Sequence, residues 1–243
     1  MVRELLTAEK VHGKTGIDGI EIVAPQTPLQ EQHAVDFIVE TLRAAEDESV
    51  TLVPTGPLTN IGTAIDRAPD VVPKIRQLVI MGGAMREGGN YSPSAEFNIL
   101  VDPEAADIVF RCGRPITQMG LDVTHQVLST QDRVERIRAL DNPVATAVAG
   151  MLGFFERFDM EKYASKGAPL HDPCTVAYLL RPELFEGKVC NVAVETQSEL
   201  TLGHTAVDFW HVTDRPRNVR WIHSVDAGGF YDLLVERLAR FGD

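Results

Sequence analysis

Basic residues are in short supply: 23 lysines and arginines stand against 35 aspartates and glutamates, a formal net charge of −12 over 243 residues. Phosphate backbones and anionic membrane surfaces both reward positive charge, so this balance argues against either as a partner. It suits a neutral or cationic small ligand, and equally a solubilising surface. Cysteine is scarce as well. Cys112, Cys174 and Cys190 are odd in number, widely spaced and without a CxxC pair, which points to a reducing compartment and away from structural zinc. No apolar run approaches the ~18 residues of a membrane span. The opening Met1–Lys10 alternates charge with apolarity and does not read as a signal peptide, so a cytoplasmic protein is expected. P-loop, GxGxxG, nucleophile–base pair, internal repeat and low-complexity tract are all missing. What remains is an ordinary globular composition, 44% hydrophobic and 24% charged, read as one domain over residues 1–243.

The pattern along the chain is that of an α/β protein. Val50–Pro54, Gln77–Met81 and Pro115–Met119 are short apolar runs suited to buried strands, and helical periods separate them. Alternation of this kind implies βαβ units and a mostly parallel central sheet flanked by helices, a Rossmann-like open sheet. Helices are expected over 30–45, 57–68, 103–112, 129–140, 143–163, 173–180 and 227–241. A weak strand is expected at 20–24, a hairpin of 189–196 with 199–208 around Gln197-Ser198, and a last strand at 219–223. The hairpin is a small antiparallel addition near the C-terminus.

The chain is organised around Met81–Asn98, a stretch with four glycines and a proline that leaves the 77–81 strand and carries Asn90, Glu96, Phe97 and Asn98. Ligands of open α/β sheets bind beyond the carboxyl ends of strands, and long loops in compact domains are commonly functional. A carboxylate flanked by two carboxamides suits a polyhydroxylated ligand, because each group can hold a hydroxyl as donor or acceptor. Asp102-Pro103 reads as a helix N-cap with proline in the first turn. His171-Asp172-Pro173 admits the same reading, and local sequence favours it. The alternative is an imidazole and a carboxylate set side by side as general acid and metal ligand. His12 lies in a glycine-punctuated loop, Val11–Gly19, and Thr55 opens a Thr-Gly-Pro turn whose carbonyl can face a cation.

These stretches have a precedent when taken as a series. VHGKTGIDG at 11–19, PTGPLTNI at 54–61, MGGA at 81–84, GNYSPSAEFNILVDPEAA at 89–106, GLDVT at 120–124 and HDP at 171–173 follow one another in the order and spacing of the inosine–uridine-preferring nucleoside hydrolases. The chain resembles that family over nearly its whole length, and the AEFN segment is the most specific match. The resemblance implies calcium-dependent cleavage of the N-glycosidic bond of ribonucleosides to ribose and free base, a role in nucleoside catabolism and salvage, and a homo-oligomer, dimer or tetramer. It implies that Asn90, Glu96 and Asn98 hold the ribose hydroxyls and that Met81 lines the same pocket. His12 and Phe97 would contact the base, Tyr163 would reach it from a helix end, and His171 would protonate the departing base. The Thr55 carbonyl and the Asp172 carboxylate would bind calcium. The chain departs from the pattern in one place: the DxDxxxDD-type cluster that supplies most metal ligands and the general base does not precede His12, where the only acids are Glu4 and Glu9. A family member lacking its N-terminal segment is the expectation, with a nucleoside- or ribose-binding homologue without turnover as the alternative.

Overall fold

The computed structural model describes residues 3–9, 13–22, 24–163 and 167–242, with the backbone alone for 155–163. Its centre is a six-stranded sheet. In chain order the strands are β1 (Val50–Leu52), β2 (Ile75–Met81), β3 (Ile116–Met119), β6 (Phe185–Val194), β7 (Thr205–Asp208) and β8 (Val219–Val225), arranged β1-β2-β3-β8-β6-β7. The first four in that spatial order are mutually parallel; β6 runs antiparallel to β8, and β7 antiparallel to β6. The expected parallel core and antiparallel addition are both present. A separate two-stranded pairing joins β4 (Leu128–Ser129) to β5 (Ala168–Pro169).

Helices cover the sheet. They are α1 (Ala34–Ala44), α2 (Thr59–Arg67), α3 (Phe97–Val101), α4 (Pro103–Phe110), α5 (Leu121–Thr124), α6 (Gln131–Arg138), α7 (Pro143–Tyr163), α8 (Pro173–Leu180) and α9 (Ala227–Ala239). Parallel strands covered on both faces read as continuous apolar runs, and Leu78 to Met81 is accordingly buried at every position. One apolar cluster gathers α1, α2, α4 and one sheet face around Leu42, Leu78, Phe110 and Trp221. A second gathers α5 to α9 on the opposite face around Met119, Ile137, Phe230 and Tyr231, and a small third one joins Met81, Ala84 and Leu121.

The structure departs from the sequence reading in a few elements. Of the strand expected at 20–24, residues 20–22 and 24 lie in no strand and Val23 falls outside the described residues; Gly19 and Ile20 approach Gly150 of α7 closely. The second hairpin strand begins only at Thr205, because Glu195 folds the chain back on itself. Its carboxylate accepts the N–H groups of Gln197 and Ser198, and its N–H donates to the His204 carbonyl. The Met81–Asn98 stretch is not loop throughout, since Phe97 and Asn98 already belong to α3.

Candidate active site

The three leading strands end together and are stitched at their carboxyl ends. Met81 N–H donates to the Pro54 carbonyl at 3.0 Å, and Gly82 N–H to the Met119 carbonyl at 3.0 Å. Leu121 N–H donates to the Gly83 carbonyl at 2.9 Å, which sets the start of α5. Two glycines make this approach possible. Gly83 takes a φ of +79°, and a Cβ on Gly120 would stand 2.6 Å from the Trp221 ring.

Glu96 sits at the centre. It is 2% exposed and serves as the N-cap of α3, accepting from Ile99 N–H at 3.3 Å; the same oxygen accepts from Gly83 N–H at 3.0 Å. Burial pushes its pKa up to about 7. Backbone N–H groups oppose that rise, and the negative charge of Asp172 adds to it. Asn98 is buried in the first turn of α3. Its Nδ2 donates to the Met81 carbonyl at 3.2 Å and lies 3.3 Å from the Met81 sulfur. Those contacts fix the amide, so its carbonyl oxygen is the end available to a ligand hydroxyl. Asn90 Oδ1 accepts the Phe97 N–H at 2.9 Å, and the Phe97 ring tilts against Tyr91 at 5.6 Å.

Asp172 corrects the local reading of His171-Asp172-Pro173. It stands at the N-cap position of α8 with Pro173 next, but it has helical φ/ψ of −60° and −42° and its side chain makes no cap bond. The Asp172 carbonyl, rather than its carboxylate, takes the Thr175 hydroxyl and N–H. That leaves the carboxylate for other work. It opens to solvent, yet enough protein surrounds it to push its pKa up to about 6. Asp102, by contrast, is the expected cap, accepting from Ala105 N–H at 3.2 Å and from the Thr59 hydroxyl at 2.7 Å.

The sequence reading missed the supports of this constellation. Asp122 of α5 accepts the N–H groups of Met85 and Arg86, each at 2.7 Å, and so anchors the loop after β2. Thr124 Oγ1 lies 2.7 Å from His171 Nδ1. His125 stands 3.1 Å from the Glu87 carboxylate, and its ring tilts toward that of His171 at 5.7 Å. GLDVT was legible as a motif, but nothing local to it names these distant partners.

Thr55 lies exposed in the turn beyond β1. His12 falls outside the described residues, and Tyr163 is described only as the backbone end of α7. Among the described residues no group of three or more His, Cys, Asp or Glu comes together to hold a metal ion. Two open recesses lie elsewhere, one of about 560 Å³ against α7 at Gly150 and one of about 370 Å³ along β7. Neither contains a residue of the Glu96–His171 constellation.

The chain is similar to known nucleoside hydrolases in sequence and in fold. The family model described as inosine-uridine preferring nucleoside hydrolase matches residues 1–232. A pyrimidine-specific ribonucleoside hydrolase RihA of Shewanella sp. (strain ANA-3) is 52% identical over 238 residues, 98% of this chain and 74% of the relative. An uncharacterized protein of Schizosaccharomyces pombe is 46% identical over 240 residues, 99% of this chain and 77% of that protein. Among solved structures, a purine-preferring ribonucleoside hydrolase from Gardnerella vaginalis superposes with a TM-score of 0.87 at 33% identity, covering 96% of this chain and 74% of that one.

Proposed function

The chain belongs to the inosine–uridine preferring nucleoside hydrolases, enzymes that cleave the N-glycosidic bond of ribonucleosides, and we propose that Glu96, Asn98 and His171 carry that reaction here. The observation that supports this most is convergence. Glu96 and Asn98 from α3 and Met81 from the end of β2 form one hydrogen-bonded cluster, and the charge of Asp172, from the segment before α8, acts on the Glu96 carboxyl. Pyrimidine ribonucleosides are the proposed substrates, because the bacterial relatives near 50% identity are named pyrimidine-specific.

In this reading Glu96, Asn98 and Asn90 hold the ribose hydroxyls, with Met81 lining the pocket; His12, Phe97 and Tyr163 contact the base. Cleavage runs through an oxocarbenium-like sugar. A carboxylate within reach of the ring stabilises that charge as it develops, and a pKa near 7 lets Glu96 ionise in answer to it. His171 gives a proton to the departing base.

The resemblance implies calcium. The proposed ligands here are the Asp172 carboxylate and the Thr55 carbonyl, whereas calcium takes about six to eight oxygens. The described residues do not complete such a cage. That shortfall also favours a second reading, in which the chain binds nucleoside or ribose without turnover. A homo-oligomer, dimer or tetramer, in the cytoplasm completes the proposal; among the described residues no helix is long and apolar enough to cross a membrane.

The test is base release from uridine, cytidine and inosine by residues 1–243 with millimolar calcium, beside Glu96→Ala and His171→Ala. Turnover of the pyrimidine nucleosides that both variants lose supports the enzyme reading. Uridine binding by calorimetry without base release would establish the second reading. Turnover that survives both substitutions would remove the residue roles.

A further inference from the structure

We infer that Thr205 is a positioning residue for Glu96, setting through its hydroxyl the peptide plane next to the one that Glu96 grips. The inference rests on the reading of Glu96 as a holder of the ribose hydroxyls. Thr205 Oγ1 accepts the Ala84 N–H at 3.0 Å and donates to the Ala84 carbonyl at 2.6 Å. A hydroxyl carries one donor and two acceptor lone pairs, so a single group can make both bonds. Thr205 is 1% and Ala84 2% exposed, so water cannot take over either bond, and losing the hydroxyl leaves two groups buried and unpaired.

The turn that leaves β2 has little stiffness of its own, because Gly83 at a φ of +79° lets the chain rotate on either side of it. Groups from distant elements supply what the backbone lacks. The peptide joining Gly82 to Gly83 is held at both ends: Gln118 Nε2 donates to its carbonyl, and its N–H donates to Glu96 at 3.0 Å. The peptide joining Gly83 to Ala84 is held likewise, its carbonyl by Leu121 N–H at 2.9 Å and its N–H by Thr205. One glycine Cα links the two planes. Without the Thr205 hydroxyl the second plane keeps a single bond, and the N–H presented to Glu96 loosens with it.

Thr205 is itself set by the antiparallel hairpin. It opens β7 in register with Val194 of β6. The two residues before it lean on the same stretch of chain: His204 Nδ1 lies 3.1 Å from the Ser94 carbonyl, and a Cβ on Gly203 would stand 2.7 Å from the Leu100 Cα of α3. Three successive residues thus touch the Met81–Asn98 stretch near its start, the same stretch near its end, and the helix that Glu96 caps. The hairpin, more than a hundred positions away in sequence, braces the segment proposed to hold the sugar.

Two measurements on the full chain test the inference. Native-state hydrogen exchange at the Gly83 N–H, the donor to Glu96, answers whether or not the chain turns over. The Leu78 N–H, bonded to the Pro115 carbonyl, reports the stability of the sheet beside it. In Thr205→Val, which keeps the shape of the side chain, Gly83 should exchange about tenfold faster relative to Leu78, and Thr205→Ser should match the parent. Gly83 protection that is unchanged, or that falls only in step with Leu78, overturns the inference. The second measurement is a double-mutant cycle with Glu96→Ala, read in kcat/KM on uridine or, without turnover, in uridine Kd. Thr205→Val should weaken uridine roughly tenfold in the parent and less than about twofold beside Glu96→Ala, where the carboxylate it positions is gone. Equal falls in the two backgrounds, or a Thr205→Ser chain as impaired as Thr205→Val, also overturn it. Failure of the ribose reading is separable: Glu96→Ala alone would then leave uridine unaffected. Should Thr205→Val not fold, Thr205→Ala carries the same comparison.

Discussion

The Glu96 carboxylate accepts the Gly83 N–H at 3.0 Å, so the loop that leaves β2 is closed at its base by the residue that ends it. One buried oxygen serves this closure and the N-cap of α3 together. The side chain proposed to hold a sugar hydroxyl is thus also structural, and its substitution has two separable effects.

The first effect is on stability against pH. Glu96 has a folded pKa raised from 4.5 to about 7. Between those values the native chain keeps a proton that the unfolded chain has lost, so stability falls as pH rises through this window. The full shift corresponds to about 3 kcal/mol, present below about pH 4.5 and lost above about pH 7. Glu96→Gln should flatten this dependence and be relatively more stable at pH 8 than at pH 5. Urea unfolding at the two pH values measures it; parallel pH profiles for parent and variant would contradict the assignment.

The second effect is on the reaction. In turnover of uridine, Glu96→Ala should cost about 2–4 kcal/mol in kcat/KM, as expected for a charged, desolvated hydrogen bond to the sugar. Asn98→Ala should act in the same direction and less strongly. Equal efficiency of parent and Glu96→Ala would remove the ribose role.

Asp102→Ala should act on stability alone. Its carboxylate caps α4 through Ala105 N–H and accepts the Thr59 hydroxyl, tying α2 to α4. Losing the cap and stranding that hydroxyl should cost about 2 kcal/mol, read by denaturant midpoint, with the uridine KM unmoved.

Asp122→Ala should loosen the loop after β2, since two N–H groups lose the carboxylate they share. Hydrogen exchange at Met85 and Arg86 is expected to quicken, and the KM for uridine to rise about tenfold or more as Asn90 and Glu96 lose their anchored approach. Unchanged exchange would show that the loop is held from elsewhere.

Calcium affinity should strengthen with pH. A carboxyl pushed up to about 6 is largely protonated at pH 5.5, and a cation must displace that proton to use it as a ligand. Titration calorimetry at pH 5.5 and 7.5 should therefore give the tighter binding at 7.5, and Asp172→Ala should erase the difference. Binding that is equally tight at both values would exclude Asp172 as a ligand.

The sequence by itself determined the sheet and the family. Apolar runs at 50–54, 77–81 and 115–119 separated by helical periods leave few alternatives to parallel neighbours, because βαβ crossovers impose that order. The α7 span Pro143–Tyr163 and the Asp102 cap were equally legible, since periodicity and capping are local properties. Tertiary structure alone decided the pairings across the chain. Asp172-Pro173 and Asp102-Pro103 look alike as dipeptides, yet only the Asp102 side chain caps its helix; Asp102 has φ/ψ of −148° and 74° and accepts the Ala105 N–H, whereas Asp172 has helical φ/ψ and makes no such bond. Thr124 and His171 are separated by 47 positions, and Asp122 reaches back 37 to Met85. Such contacts depend on where three strand ends and two short helices are brought together, and no periodicity within a window of sequence encodes a distance across the fold.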